Sequence, residues 1–585
     1  MRATYRLQLG PGLGFREARA LVPYLVELGI SHLYLSPSLQ ARAGSTHGYD
    51  VVDPTRISED LGGEEAFRAL CAAGLDVVLD VVPNHMAVGE GNPFWPEAFD
   101  VGRRFFDIDE LGGVRVEDPE VFELMHRKVL ELVRDGAVQG LRIDHVDGLA
   151  RPGEYLRRLA ERGVQRIWVE KILQPGEELP SWPVEGTTGY EFANEVTALF
   201  VDPASEEPLT SLYEELTGER RPFREVAYEA KLEQARTTFR REVERLAGLG
   251  EIPVEEVVRR LAGLSVYRTY RSEASGSSEF VTRFEQTSGA VMAKGVEDTA
   301  FYRYSRFVAL NEVGGDPARF GLALEQFHRM NAKRAKRFPL HLLTTTTHDT
   351  KRSGDVRARL AALSWTMDEW SERIRRWSAL DDPNENYLLW QTLVGAWPLE
   401  PERLAAYMEK ALREAKVNTN WIEPNEEHER RVREAIGALY SSLPKDFEPF
   451  AARVAEAGRR IALGMTLLKL TVPGVPDLYQ GDELEFLALV DPDNRRPVDW
   501  ERRRLALRDP PPKLRAILAA LDLRSRRPRA FSGSYEPLEA GDEVCAFERG
   551  GQVRVAVPLR PNAVKPSFPG WRDLLPGLPV GLYER

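Results

Sequence analysis

Short apolar runs alternate with stretches of helical spacing along the first third of the chain. Residues 3–9 alternate apolar and polar and end in the glycine-rich GPGLG, after which residues 15–28 repeat their apolar positions at the three- and four-residue spacing of a helix. HLYLS at 32–36 is a second short apolar run, and residues 63–73 read as a second helix. DVVLDVV at 76–82 is rich in β-branched residues and apolar on both faces, which fits a parallel strand covered on both sides. Residues 119–134 are helical in pattern, 140–145 strand-like, 152–161 helical, and RIWVEK at 166–171 strand-like again. Strands alternating with helices at this spacing predict βα units, and more than four of them predict an α/β fold of the (β/α)8 barrel type. The glycines of GPGLG do not make a dinucleotide fingerprint, because the third glycine of G-x-G-x-x-G would fall at Phe15.

Beyond residue 200 the rhythm changes. The pattern divides the chain into a first part of the barrel (1–85), a loop-rich insertion after the third strand (86–118) and a middle part of the barrel (119–200). A charge-rich helical insertion (201–283) follows, then late barrel strands (284–364), with strand-like character expected in 284–304 and in LLTTTTHDT at 342–350. A second helical insertion (365–460) precedes a last strand and helix (461–520), the strand being read within 467–483, and a small C-terminal β domain (521–585).

The composition is that of a soluble globular chain: 585 residues, 43% apolar and 29% charged. A net charge of −12, from 79 basic and 91 acidic residues, disfavours nucleic acid or an anionic membrane as partner and fits a neutral substrate. Two distant cysteines, Cys71 and Cys545, form no metal or redox motif and read as thiols in a reducing compartment. MRATYRLQLGPG lacks an apolar signal core and no run approaches a membrane span, so a cytoplasmic location is expected.

Candidate chemistry gathers at the predicted strand ends. Arg142 and Asp144, two apart on a strand, share a face, and the arginine is expected to keep the aspartate ionised as a nucleophile. Glu170 follows the apolar Ile167, Trp168 and Val169, a setting that raises a carboxyl pKa and suits a general acid. Asp80, Asn84 and His85 end the third strand, and His348 and Asp349 a late one; Asp349 would hydrogen-bond the hydroxyls of a distorted sugar ring. In a parallel barrel all these ends open on one mouth. Carboxylates about 5 Å apart there are what a retaining glycosidase uses. There is no H-E-x-x-H or cysteine cluster, and the loop after Asn84 has no dense set of carboxylates for calcium, so no metal and no cofactor is expected.

DVVPNH (80–85), GLRIDHVDG (140–148), WVEK (168–171) and TTHD (346–349), in that order, resemble the four signature regions of the α-amylase superfamily, glycoside hydrolase family 13; HGYD (47–50) and GVPDLYQGDE (474–483) resemble its first-subsite loop and eighth strand. One departure stands out: where most amylases carry a Lys-His pair beyond the nucleophile, this chain has Asp147 and Gly148. THGYDVVDP, GTTGYEF, MAKGVEDTAFYRY and NEVGGDP are similar to the maltooligosyltrehalose synthase subfamily. That resemblance implies an intramolecular transglucosylation that turns the reducing-end α-1,4 bond of a maltooligosaccharide into an α,α-1,1 bond. Asp144 would be nucleophile, Glu170 acid/base and Asp349 transition-state stabiliser, with Tyr49, Asp50, His85, Arg142 and His348 as sugar contacts. It implies a monomer acting in sequence with a trehalohydrolase. A hydrolase of the same fold shares all three carboxylates and is the alternative; a binding protein on a dead barrel is disfavoured because none of them is lost. Retaining the freed glucose requires a lid that excludes water, and the polar and aromatic 288–304 segment and the helical insertions are expected to supply it, with Lys294 and Glu297 holding the glucose.

Overall fold

The computed structural model describes residues 1–89, 91–106 and 108–585. Eight parallel strands make a nearly closed barrel: β1 (Thr4–Leu7), β2 (His32–Leu35), β3 (Asp76–Val81), β4 (Gly140–Ile143), β5 (Ile167–Val169), β6 (Gly186–Thr187), β7 (Leu342–Leu343) and β8 (Val475–Tyr479). Their order around the sheet is β6-β5-β4-β3-β2-β1-β8-β7. The seam between β6 and β7 is bridged by a side chain: the Thr187 N–H donates to His341 Nδ1 at 3.2 Å, and His341 Nε2 lies 2.8 Å from Glu191. Gly186 has φ +145°, and a Cβ there would stand 2.4 Å from the His341 ring, so the seam needs glycine.

Alternation along the strands sorts the residues into layers. Leu33, Leu35, Val77, Leu79, Leu141, Ile143, Ile167 and Val169 belong to the main core, which includes the surrounding helices. The opposite faces carry Tyr34, Val78, Trp168, Leu342 and Val475, a separate apolar cluster that plugs the barrel. Two residues further along, on the same face, come Asp80 from Val78 and Glu170 from Trp168. A greasy floor with charge above it is therefore written into the period of two.

Helical insertions and a C-terminal antiparallel sheet are present, but several local readings are corrected. Residues 86–118 are not loop-rich: His85–Ala87, Phe99–Phe105 and Ile108–Val114 form a three-stranded antiparallel sheet. Its pairing slips in register between Phe99 and Phe105, and Gly102 has φ +99°, which breaks the alternation that would have revealed it. The 284–304 segment is not strand but a continuous helical rod, Glu279–Met292 running through a wide π turn at Ala293–Ala300 into Phe301–Arg303. Only Leu342–Leu343 of 342–350 is strand; the threonines that follow bond to their own backbone, as Thr344 Oγ1 does to Thr346 O at 2.8 Å. Residues 467–471 end a 25-residue helix, Phe447–Thr471, whose last turns are buried on every side and so lack amphipathic spacing. The C-terminal region enters through helices Pro512–Arg526 and Pro528–Ser532 before a five-stranded antiparallel sheet. Among the described residues no helix is long and apolar enough to cross a membrane.

Candidate active site

The barrel mouth is built around one guanidinium. Arg142, fully buried on β4, places Nη1 2.8 Å from Asp80 Oδ1 and 2.6 Å from Asp144 Oδ1, and Nη2 2.9 Å from Glu170 Oε1. The carboxylates stand one residue past their strands, yet ladder bonds continue through them: the Asp144 N–H donates to Val81 O at 2.9 Å and the Glu170 N–H to Ile143 O at 2.8 Å. Arg142 thus holds Asp144 on one terminal nitrogen and Glu170 on the other, side by side at the mouth as a retaining pair requires.

On the other side Arg6 of β1 donates through Nη2 to Asp80 Oδ2 at 2.8 Å and to the Tyr49 hydroxyl at 2.7 Å. The Tyr49 hydroxyl also bonds Asp80 Oδ2 at 2.7 Å and meets His348 Nε2 at 2.6 Å, with the two rings stacked at 5.2 Å. His348 Nε2 lies 3.0 Å from Asp349 Oδ2, and Arg495 approaches the other oxygen of Asp349 at 3.9 Å. The Asp349 side chain, 40% exposed, faces the cleft. Tyr49, Arg142, Asp144, Glu170, His348 and Asp349 thus form one connected network. His85 is buried against Phe105, with ring centroids 3.8 Å apart. Asp50 sits in the same loop as Tyr49, where its carboxylate accepts from Ser45 Oγ and lies 3.8 Å from His47 Nδ1.

Burial sets the charges. It raises Asp144 well above the usual carboxylate range and, with repulsion from Glu170, outweighs the attraction of Arg142. The expectation that Arg142 alone keeps Asp144 ionised is corrected on this point. Burial raises Glu170 as well, as expected, against the opposing pull of Arg142. The two therefore titrate as a pair that keeps one proton further up in pH than an isolated carboxylate would. Asp80 is held low despite burial, because Arg142 and Arg6 both face it. Asp349 is also held low against burial, by the His348 ring and then Arg495. Burial keeps the His348 ring neutral, down to about 4, and pushes His85 well below its usual value.

The segment after the nucleophile is tightly drawn. His145 has φ +43°, an uncommon backbone for a side chain of that size, and its N–H donates to Glu170 Oε2 at 2.8 Å. A Cβ at Gly148 would stand 2.4 Å from Asn84 Oδ1 and 2.5 Å from His145 Cδ2. No side chain fits where amylases place the second residue of their Lys-His pair. Asn84 Oδ1 already accepts from Arg103 Nη1 at 2.8 Å, so a guanidinium occupies the oxygen that a cation would use.

Residues 20–94 match the family model described as the alpha amylase catalytic domain. Across its whole length the chain is 35% identical to a putative maltooligosyl trehalose synthase of Mycobacterium tuberculosis, over 99% of this chain and 95% of that one. The chain belongs to the maltooligosyltrehalose synthase family. The solved synthase of Arthrobacter ramosus superposes with a TM-score of 0.93 at 33% identity, each chain fully covered, and a hypothetical synthase of Sulfolobus tokodaii with 0.91 at 32%, also fully covered. An Anoxybacillus alpha-amylase, 13% identical with a TM-score of 0.51 over 100% of this chain and 95% of its own, shares the fold alone.

In this member of the synthase family Lys294 and Glu297 lie on the π turn, in a second polar cluster. Lys294 Nζ is 3.4 Å from Asp298, and Asp298 Oδ1 is 2.6 Å from Lys351 Nζ, two residues after Asp349. Glu297 is not half of a surface ion pair: it is buried, accepts from the Tyr267 hydroxyl and from the Gly314 N–H at 2.9 Å, and burial raises it to about 7. Glu312 ties this layer to the catalytic loop. Its oxygens accept the N–H groups of Lys351 at 2.6 Å and Arg352 at 3.1 Å and face Arg357 at 3.0 Å. Sequence reasoning missed Arg6, Lys351, Glu312 and Arg495; a charged residue at an inward position of a barrel strand was the available signal for Arg6, and the other three lie on connections without a pattern.

Proposed function

We propose that the chain is a maltooligosyltrehalose synthase in activity, an intramolecular transferase of the (1→4)-α-D-glucan 1-α-D-glucosylmutase type. The observation that carries the reading is Arg142 holding Asp144 and Glu170 together at the mouth, under a polar layer that is hydrogen-bonded to the loop of Asp349.

In the competent state the single proton of the pair resides on Glu170. Asp144 attacks the anomeric carbon next to the terminal α-1,4 bond while Glu170 protonates the leaving O4 of the last glucose, giving a glycosyl ester on Asp144. The glucose turns within the site and its anomeric hydroxyl attacks the anomeric carbon of the glycosyl ester. Glu170 takes that proton, Asp144 leaves, and two inversions yield an α,α-1,1 bond. Asp349, held ionised, binds the ring at the reacting centre together with His85, with Tyr49 and His348 fixing Asp349 and Asp50 shaping the rim. Lys294 and Glu297 hold the glucose while it turns. The chain acts on a neutral substrate as a monomer in the cytoplasm, its product passing to a trehalohydrolase.

Incubation with maltohexaose, following reducing ends and free glucose together, tests the reading. Loss of reducing ends with little glucose is expected; a rise in reducing ends would make the chain a hydrolase.

A further inference from the structure

Behind the two carboxylates, away from Arg142, lies a second clasp. Lys171, next to Glu170 in sequence, has a completely buried side chain. Its Nζ is 3.1 Å from Asp147 Oδ2 and 3.0 Å from Glu177 Oε1, and donates to Ile172 O at 2.9 Å. It also sits 5.6 Å above the rings of both Tyr267 and Tyr270. Those tyrosines face opposite tasks: Tyr270 donates its hydroxyl to Asp147, and Tyr267 donates to Glu297 on the π turn. Between them Arg268 donates to the carbonyl oxygens of Asp147 at 2.6 Å and Ala150 at 3.0 Å.

An ammonium group with no access to water is retained only where carboxylates and carbonyls satisfy it, since an unpaired buried charge is strongly disfavoured. The pairing it makes is informative. Asp147 is three residues past the nucleophile and Lys171 one past the acid, so their ion pair ties the β4 loop to the β5 loop. Arg142 fixes the carboxylates from within the barrel; Lys171 fixes their loops from outside, and its aromatic neighbours extend the tie to Glu297. Asp147 stands at one of the positions where amylases carry their Lys-His pair, and here its carboxylate is buried in this clasp.

We propose that Lys171 is a positioning residue that sets how turnover divides between isomerisation and hydrolysis, by holding Asp144, Glu170 and the glucose-retaining π turn in one register. The proposal rests on the synthase reading. Reorientation of glucose inside the site demands that the acid/base stay aligned for the second attack, whereas water, being small and mobile, tolerates a looser alignment.

The test compares Lys171→Met, Lys171→Arg, Asp147→Asn and Glu177→Gln with wild type on maltohexaose, recording kcat and KM for loss of reducing ends, the fraction of turnovers releasing glucose, and the melting midpoint. Lys171→Met is expected to lower kcat for isomerisation about tenfold with KM little changed, and to raise the glucose-releasing fraction roughly threefold, the scale on which small misplacements of reacting groups act. Asp147→Asn should shift the fraction the same way and Lys171→Arg recover part of it, while Glu177→Gln, which weakens the clasp but keeps the Asp147 pair, should shift it less than Asp147→Asn. An unchanged fraction in Lys171→Met, with both products falling in proportion to folded enzyme, overturns the proposal; if that variant does not fold, an unchanged fraction in Asp147→Asn overturns it equally. A wild type that only hydrolyses would instead refute the synthase reading.

Discussion

Gly148 offers a prediction whose size follows from the structure. Its φ is not positive, so alanine is acceptable to the backbone, and the whole effect of Gly148→Ala comes from one added carbon. That carbon would sit 2.4 Å from Asn84 Oδ1 and 2.5 Å from His145 Cδ2. Neither neighbour yields freely. Asn84 is held by Arg103, and the His145 ring is wedged against Phe105 and Phe106 at 5.3 and 5.2 Å between centroids. Overpacking of this kind costs about 1–3 kcal/mol of stability. The softer route of relief is a rotation of the strained His145 backbone, which moves its N–H off Glu170. A hydrogen bond to a charged acceptor contributes about 1.5–3 kcal/mol, so its loss in the transition state lowers kcat by about tenfold to a hundredfold. Initial rates of reducing-end loss from maltohexaose, normalised to folded enzyme, measure this. Asn84→Ala removes the nearest atom, so the double variant Asn84→Ala/Gly148→Ala should recover part of the rate lost by Gly148→Ala. A Gly148→Ala enzyme with wild-type rate and melting midpoint, or a double variant whose losses simply add, would refute the reasoning.

Asp144→Asn should abolish turnover to about one part in ten thousand, the scale on which removal of single members of a catalytic constellation acts; retained turnover would displace Asp144 as nucleophile. Lys294→Ala is expected to lower the ratio of isomerised to hydrolysed product, and an unchanged ratio would remove Lys294 from the glucose-holding role. Burial raises Glu297 from 4.5 to about 7, so the folded state binds its proton more tightly than the unfolded chain. Its contribution is therefore fully present below about pH 4.5 and is lost as pH rises through 7, a total on the order of 3 kcal/mol. Thermal midpoints across that range should fall less steeply with rising pH in Glu297→Gln than in wild type, and parallel curves would contradict the assignment.

What could be read from the chain was whatever has a short period. DVVLDVV and RIWV announced parallel strands, and Arg142 beside Asp144 announced a shared face, because alternation survives in the sequence without its partners. The π turn at Ala293–Ala300 and the fully buried end of Phe447–Thr471 were read as strand because neither keeps the one-sided spacing by which a helix is recognised. β6 is two residues long and is completed by His341 from far along the chain, so it carries no local signal. The candidate nucleophile and acid were legible as types in a setting, but their shared titration was not. That depends on Arg142 being divided among Asp80, Asp144 and Glu170, which only the folded arrangement displays.

Glu312 carries an implication for anyone reshaping this enzyme. Because the connection between Arg303 and Leu324 supplies, through Glu312, the acceptors for the backbone of Lys351 and Arg352, that connection is part of the scaffold of the catalytic loop. Shortening it to obtain a simpler, open amylase would not unveil a working hydrolase beneath. It would strand two buried amide protons and take from Arg357 its carboxylate partner, and the strip bearing Asp349 would lose its shape.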